Sequence, residues 1–194
     1  MTDPVNETHS RILDAAEALF MRKGYTAVRL RDVADSVGMR HASLFYYVPG
    51  GKEQLYIAVV ERSLNRHKEG LTKAIADAGD DFRMQMYAVA DWFAETPPVD
   101  FGRIVASDLP EIDPHEAERL MNLTYDALRT PLIEMLQQAQ AHNRIRLNDF
   151  NTAAMALVTL AQSAHGIPGK YPSGWKQRLG RQLVDMLLDG WLAR

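Results

Sequence analysis

No cysteine occurs anywhere in the 194 residues. Disulfides, thiolate zinc sites and a cysteine nucleophile are thereby excluded. Long apolar runs are missing too, none approaching the ~18 residues that cross a bilayer. The polar opening from Met1 to His9 has no apolar core of the kind a signal peptide carries. The expectation is a cytoplasmic protein that makes no use of a membrane. Catalytic signatures are equally scarce. No Gly-x-Ser-x-Gly, nucleotide loop or dinucleotide fingerprint is present. The one concentration of acids with a histidine (Asp108, Glu111, Asp113, His115, Glu116 and Glu118) is interrupted by Pro110 and Pro114 and has no His-Glu-x-x-His spacing. It reads as a solvated loop opening a helix, where acids are favourable. The chain is therefore read as no enzyme, without cofactor or metal.

Positive charge is also in deficit, with a net charge of −3. Its distribution matters more than its sum. Residues 20–52 hold six basic side chains (Arg22, Lys23, Arg29, Arg31, Arg40, Lys52) against Asp32 and Asp35, so the rest of the chain is strongly acidic. A basic segment confined to one region suits a phosphate-binding face. Apolar residues at 46% and charged residues at 24% are ordinary for a globular protein with a sizeable core.

The stretch from Thr26 to Lys52 organises the remainder. Leu30, Val33, Ala34 and Val37 recur at i, i+3, i+4 and i+7, one apolar face of a helix of about two turns. Gly38 follows where a left-handed C-cap falls. Arg40 to Tyr47 supplies a second short helix with Leu44 and Phe45 inward and Arg40, His41, Ser43, Tyr46 and Tyr47 on the other side. Two short helices joined by a Gly turn predict a helix-turn-helix, whose second helix enters the major groove of DNA.

These residues resemble the TetR family of bacterial transcription regulators. The resemblance is carried by Ile12-Leu13-Asp14-Ala15-Ala16, Leu19-Phe20, Gly24-Tyr25, Arg31-Asp32-Val33-Ala34, Gly38, Leu44-Phe45-Tyr46-Tyr47 and Lys52-Glu53-Gln54-Leu55. It implies an all-α homodimer with a DNA-binding domain at residues 1–52. Residues 53–194 would bind a small effector and dimerise, and a helix over 53–78 would link the two domains. The sequence departs from the pattern at Val28 and Arg40, where the family has capping Thr or Ser, and at Pro49-Gly50-Gly51, one residue longer than usual. By this resemblance Thr26, Arg29, Arg40, His41, Ser43, Tyr46, Tyr47 and Lys52 are the candidate DNA contacts. Arg40, His41 and Ser43 are the better base readers, and Lys52 and at least one tyrosine meet phosphate.

Further helices are predicted at Thr8–Lys23 (after a frayed tail over 1–7), Phe82–Glu95, Phe101–Leu109, His115–His142, Phe150–Gly166 and Ser173–Ala193. Pro131 is expected to kink or divide the longest. Met86, Tyr87, Trp92, Phe93, Arg103, Met121, Tyr125, Met155, Gln162 and His165 are candidates for a largely apolar effector pocket, with Arg103 and His165 orienting a polar group. Met and aromatics at helical spacing more often serve as ordinary core. The small-residue helix after Phe150 and the last helix, with Leu179, Leu183, Met186, Leu187 and Trp191, are assigned to the dimer by resemblance. The function expected is a repressor released from a palindromic operator by its ligand, with an activator, a ligand-activated regulator or a non-specific architectural DNA-binding protein as alternatives.

Overall fold

The structure, a computed structural model, describes residues 4–96, 103–167 and 170–191. Among these every regular element is helical: α1 (Pro4–Lys23), α2 (Leu30–Ser36), α3 (His41–Tyr47), α4 (Gly51–Asp77), α5 (Phe82–Glu95), α6 (Pro114–Ala141), α7 (Phe150–Gly166) and α8 (Trp175–Trp191). A π-helical turn (Ile104–Asp108) runs into a 3-10 turn (Leu109–Glu111) ahead of α6. The fold is all-α, an N-terminal helix-turn-helix followed by a C-terminal helical domain. The chain divides into two compact units: residues 1–65 with 100–124, and residues 66–99 with 125–194.

Several boundaries differ from the sequence reading. Residues 4–7 are helical rather than frayed, because Pro4 stands at a first helical position, where its fixed φ helps and its missing N–H costs nothing. The helix predicted over Phe101–Leu109 is a π turn closed by the Leu109 N–H on the Ile104 carbonyl; Phe101 itself lies outside the described residues. Pro131 does not divide α6, which runs unbroken from Pro114 to Ala141.

In the first unit, Ile12, Ala16 and Phe20 of α1, Val33 and Ala34 of α2, Leu44 of α3, and Leu55, Tyr56 and Val59 of α4 share one core. Val28, which cannot cap α2, is 1% exposed and belongs to this core. Capping is supplied from the other end of the first turn: the Asp32 carboxylate accepts the Arg29 backbone N–H at 3.0 Å. Gly38, at φ +70°, closes α2 as expected. The Met39 N–H reaches back to the Ala34 carbonyl at 2.9 Å, the six-to-one bond of a Schellman ending. Phe45 is a correction: it is 45% exposed, not inward. With Leu44 filling the core-facing position of so short a helix, the adjacent residue is rotated out of it.

In the second unit α5 packs chiefly on α8 and also on α7. Asp81 caps α5 by accepting the Met84 N–H at 3.0 Å, and Asp149 caps α7 through the Asn151 N–H at 2.8 Å. Two glycines set close approaches. A Cβ on Gly70 of α4 would stand 2.8 Å from the Trp92 indole nitrogen, and one on Gly180 of α8 would stand 3.2 Å from the Ala90 Cβ. Gly180→Val is therefore expected to lower stability by about 1–3 kcal/mol through overpacking, measured as a lower urea midpoint with circular dichroism.

Candidate nucleic-acid interface

The helix-turn-helix turns its polar side chains outward by burying one residue of α3 completely. Leu44 is 0% exposed, whereas His41, Ala42, Ser43, Phe45 and Tyr46 are all exposed. Arg40 occupies the N-cap of α3 without a side-chain capping bond. Its carbonyl accepts the Ser43 N–H at 2.9 Å, and its guanidinium is exposed. Arg29, Arg31 and Thr26 are also exposed; Arg31 lies 3.9 Å from Asp35, too solvated a pair to neutralise it.

The two tyrosines part company. Tyr46 is 76% exposed, while Tyr47 is half-buried and lines a groove with His9, Leu13, Val48, Leu55 and Ala58. Their rings meet edge to face at 5.1 Å. Tyr46 faces solvent, whereas Tyr47 lies in the groove between α3, α1 and α4. Lys52 is half-buried at the start of α4. Its ammonium donates to the Thr26 carbonyl at 3.3 Å and sits 4.2 Å from the Tyr25 ring centroid. Burial pulls its pKa down, opposed by the charges of Glu111 and Asp108. Lys52 thus ties the start of α4 to the loop before α2, at the edge of the exposed basic surface.

Behind this face sits a polar knot that sequence reading assigned to a solvated loop. Asp108 is 3% exposed. It accepts the Tyr25 backbone N–H at 2.9 Å and the Tyr56 hydroxyl at 3.1 Å, with the Arg103 guanidinium 3.6 Å away. Gly24 lets the chain turn here, because its φ of +78° lies in the left-handed region that favours glycine. Phe20, Tyr25 and Tyr56 pack around the knot at centroid distances of 4.9–6.2 Å, with Tyr56 edge to face on the other two. The sequence signal was a lone acid between Ile104 and Leu109, both buried. The other acids of that run disperse: Asp113 accepts the His115 and Glu116 N–H groups, and Glu116 pairs with Arg119. Among the described residues no three His, Asp or Glu side chains converge on a metal-binding point.

Burial first, and then the Asp108 charge, push the Tyr56 hydroxyl far above its ordinary pKa of 10.0. The folded state keeps the phenol protonated where the unfolded chain releases its proton. This contribution is complete below pH 10.0 and is lost as pH rises beyond it. Tyr56→Phe is expected to be less stable at neutral pH yet to decline less steeply towards about pH 11, as read by denaturation at both pH values. Tyr25, raised mainly by burial as well, leaves a residual slope.

The candidate pocket residues are spread over several environments. Met86 and Phe93 are buried on α5, and Trp92 packs edge to face on Phe93 at 5.0 Å and on His67 at 5.5 Å. The Tyr87 hydroxyl donates to Asp185 at 2.6 Å. Tyr125 and Met155 are 44% and 42% exposed, and Met121 and Gln162 are half-buried. Arg103 donates to the Met21 carbonyl at 2.6 Å in addition to facing Asp108. The side chains of His165 and Trp191 lie outside the described residues. No helix among the described residues is long and apolar enough to cross a membrane.

Comparison with known proteins agrees with this geometry. Residues 12–59 match the model for bacterial regulatory proteins of the tetR family. The HTH-type transcriptional regulator LmrA of Bacillus subtilis is 39% identical over 71 residues, 37% of this chain and 36% of LmrA. The match thus spans about a third of that relative's length. A tetR-family regulator from Mesorhizobium loti superposes with a TM-score of 0.76 at 13% identity, covering 99% of this chain and 100% of its own. A transcriptional regulator from Saccharomonospora viridis, solved in complex with choline, gives 0.73 at 20% identity, covering 97% and 100%. At such identities the superpositions speak for the fold, while the sequence matches speak for the helix-turn-helix. Residues 12–59 thus match the helix-turn-helix region of tetR-family bacterial regulatory proteins, on a chain that shares its fold with structures of that family.

Proposed function

We propose that this protein is a cytoplasmic, homodimeric, sequence-specific DNA-binding regulator of transcription, acting as a repressor that a small, largely apolar molecule releases from a palindromic operator. The observation that carries the reading is the outer face of α3: Leu44 is fully buried while His41, Ser43 and Tyr46 face solvent beside the exposed Arg29, Arg31 and Arg40. Residues 1–52 are the DNA-binding part. Arg40, His41 and Ser43 read bases, and Arg29, Thr26 and Tyr46 meet phosphate, with Lys52 and Tyr47 holding the edge of that surface in register. The choline held by a protein of the same fold supports small-molecule binding, and the C-terminal domain is the part of this chain left to bind it. Met86, Trp92 and Phe93 are its apolar wall. Ligand binding lowers DNA affinity by favouring a state in which the two α3 helices no longer fit successive half-sites, which requires unequal ligand affinity for the two states.

Dimerisation is assigned to α7 and α8. Met155 and Met186, 42% and 72% exposed in the single chain, lie on their outer faces. A charge there would be desolvated in a dimer and harmless in a monomer. Met186→Glu is expected to shift sedimentation equilibrium from dimer to monomer without changing the helical signal.

The DNA-binding reading is tested by fluorescence anisotropy on tiled duplexes from the DNA upstream of the protein's own gene, with scrambled duplexes as controls. Binding to one near-palindromic tile, tighter than to scrambled DNA by ~10³ or more, supports it. Equal affinity for every sequence in a genome-wide selection of bound fragments would favour a non-specific architectural protein and overturn it.

A further inference from the structure

Phe45 stands in water on a helix that otherwise sorts its residues cleanly. Leu44, its neighbour, is 0% exposed, whereas Phe45 is 45% exposed. Its ring meets the His41 imidazole edge to face at 5.1 Å, which limits the rotamers the phenyl group can take. On a helical wheel Phe45 falls between His41 and Ala42, both exposed. The Ala42 methyl and the Phe45 ring therefore form a continuous apolar strip, flanked by the polar His41, Ser43 and Tyr46 (exposed, like the strip itself).

A scattered apolar side chain on a surface needs no explanation. This one lies on the short helix whose outer face is proposed to enter the major groove. Having no hydroxyl, Phe45 cannot hydrogen-bond a phosphate or a base edge, so its contribution there is confined to apolar contact. The major groove offers one apolar group, the 5-methyl of thymine. We propose that Phe45, with Ala42 beside it, determines specificity by packing on a thymine methyl, so that each operator half-site carries thymine at one fixed position. This rests on the DNA-binding reading above and names what part of that surface recognises.

The test begins with duplexes selected by the wild-type protein from a random library, at fixed salt. Each thymine of the selected sequence is then replaced singly by deoxyuridine, which removes the methyl and leaves the hydrogen-bonding edge intact. The wild type is expected to lose about fourfold in affinity at one position per half-site, the worth of one buried methyl-sized group. Phe45→Ala, whose exposed position leaves the fold intact by melting temperature, is expected to bind the thymine duplex more weakly and to make no distinction between thymine and deoxyuridine. Should the wild type bind its selected duplex tightly but ignore every such exchange, the inference falls while the DNA-binding reading stands. It falls equally if Phe45→Ala keeps the full discrimination. Failure of the wild type to select any sequence overturns both.

Discussion

Replacing Asp108 by alanine is expected to lower stability by roughly 3 kcal/mol or more, seen as a large drop in urea midpoint. Two donors lose their acceptor at once. The Tyr25 N–H at 2.9 Å and the Tyr56 hydroxyl at 3.1 Å are both buried, and each buried donor left unsatisfied costs about 1–3 kcal/mol. Loss of the Arg103 pair adds to this cost, because the guanidinium Nε that faces Asp108 at 3.6 Å is itself buried. Asp108→Asn keeps one acceptor oxygen and should cost about half as much. Because Tyr25 lies in the turn between α1 and α2, the alanine variant should also weaken DNA binding near its melting range. A loss below about 1 kcal/mol would mean that the neighbouring groups find other partners, and that Asp108 is no keystone of the N-terminal unit.

The second large effect is expected at Arg40. The guanidinium is exposed at the N-cap of α3, makes no capping bond there, and is able to grip guanine O6 and N7 together. Arg40→Ala should cost about 1–3 kcal/mol on the selected operator, roughly 5- to 150-fold, and should relax the preference at one base pair of each half-site. Lys52→Ala should act differently. It removes a cation that holds the Thr26 carbonyl and the Tyr25 ring, so binding to all sequences should fall alike. Competition binding on a panel of single-base operator variants separates the two patterns. A uniform loss from Arg40→Ala, with a shallower salt dependence, would reassign Arg40 to phosphate.

Part of this protein was decided by residues close together in sequence. The apolar spacing of Leu30, Val33, Ala34 and Val37, the left-handed Gly38 and the caps Asp81 and Asp149 act within one or two turns, where bond geometry and side-chain period suffice. The limits of α5 and α7 and the identity of the helix-turn-helix were legible for that reason. Exposure of Arg40, His41, Ser43 and Tyr46 followed from the same periodicity, whereas Tyr47, expected beside them, is half-buried.

What required tertiary structure came from partners far apart along the chain. Asp108 lies 83 residues from Tyr25 and 52 from Tyr56, so a carboxylate in an acidic, Pro-rich run gave no local sign of its burial. Gly180 stands against Ala90, 90 residues away, a contact that its sequence neighbours do not signal. Phe45 reads as core by hydrophobicity, yet a seven-residue helix has room for one deeply buried side chain, and Leu44 took it. Local propensity determines which segments are helices. Which side chains are buried, and which remain to meet a ligand, is decided by the volume and hydrogen-bonding capacity of neighbours that the fold brings together.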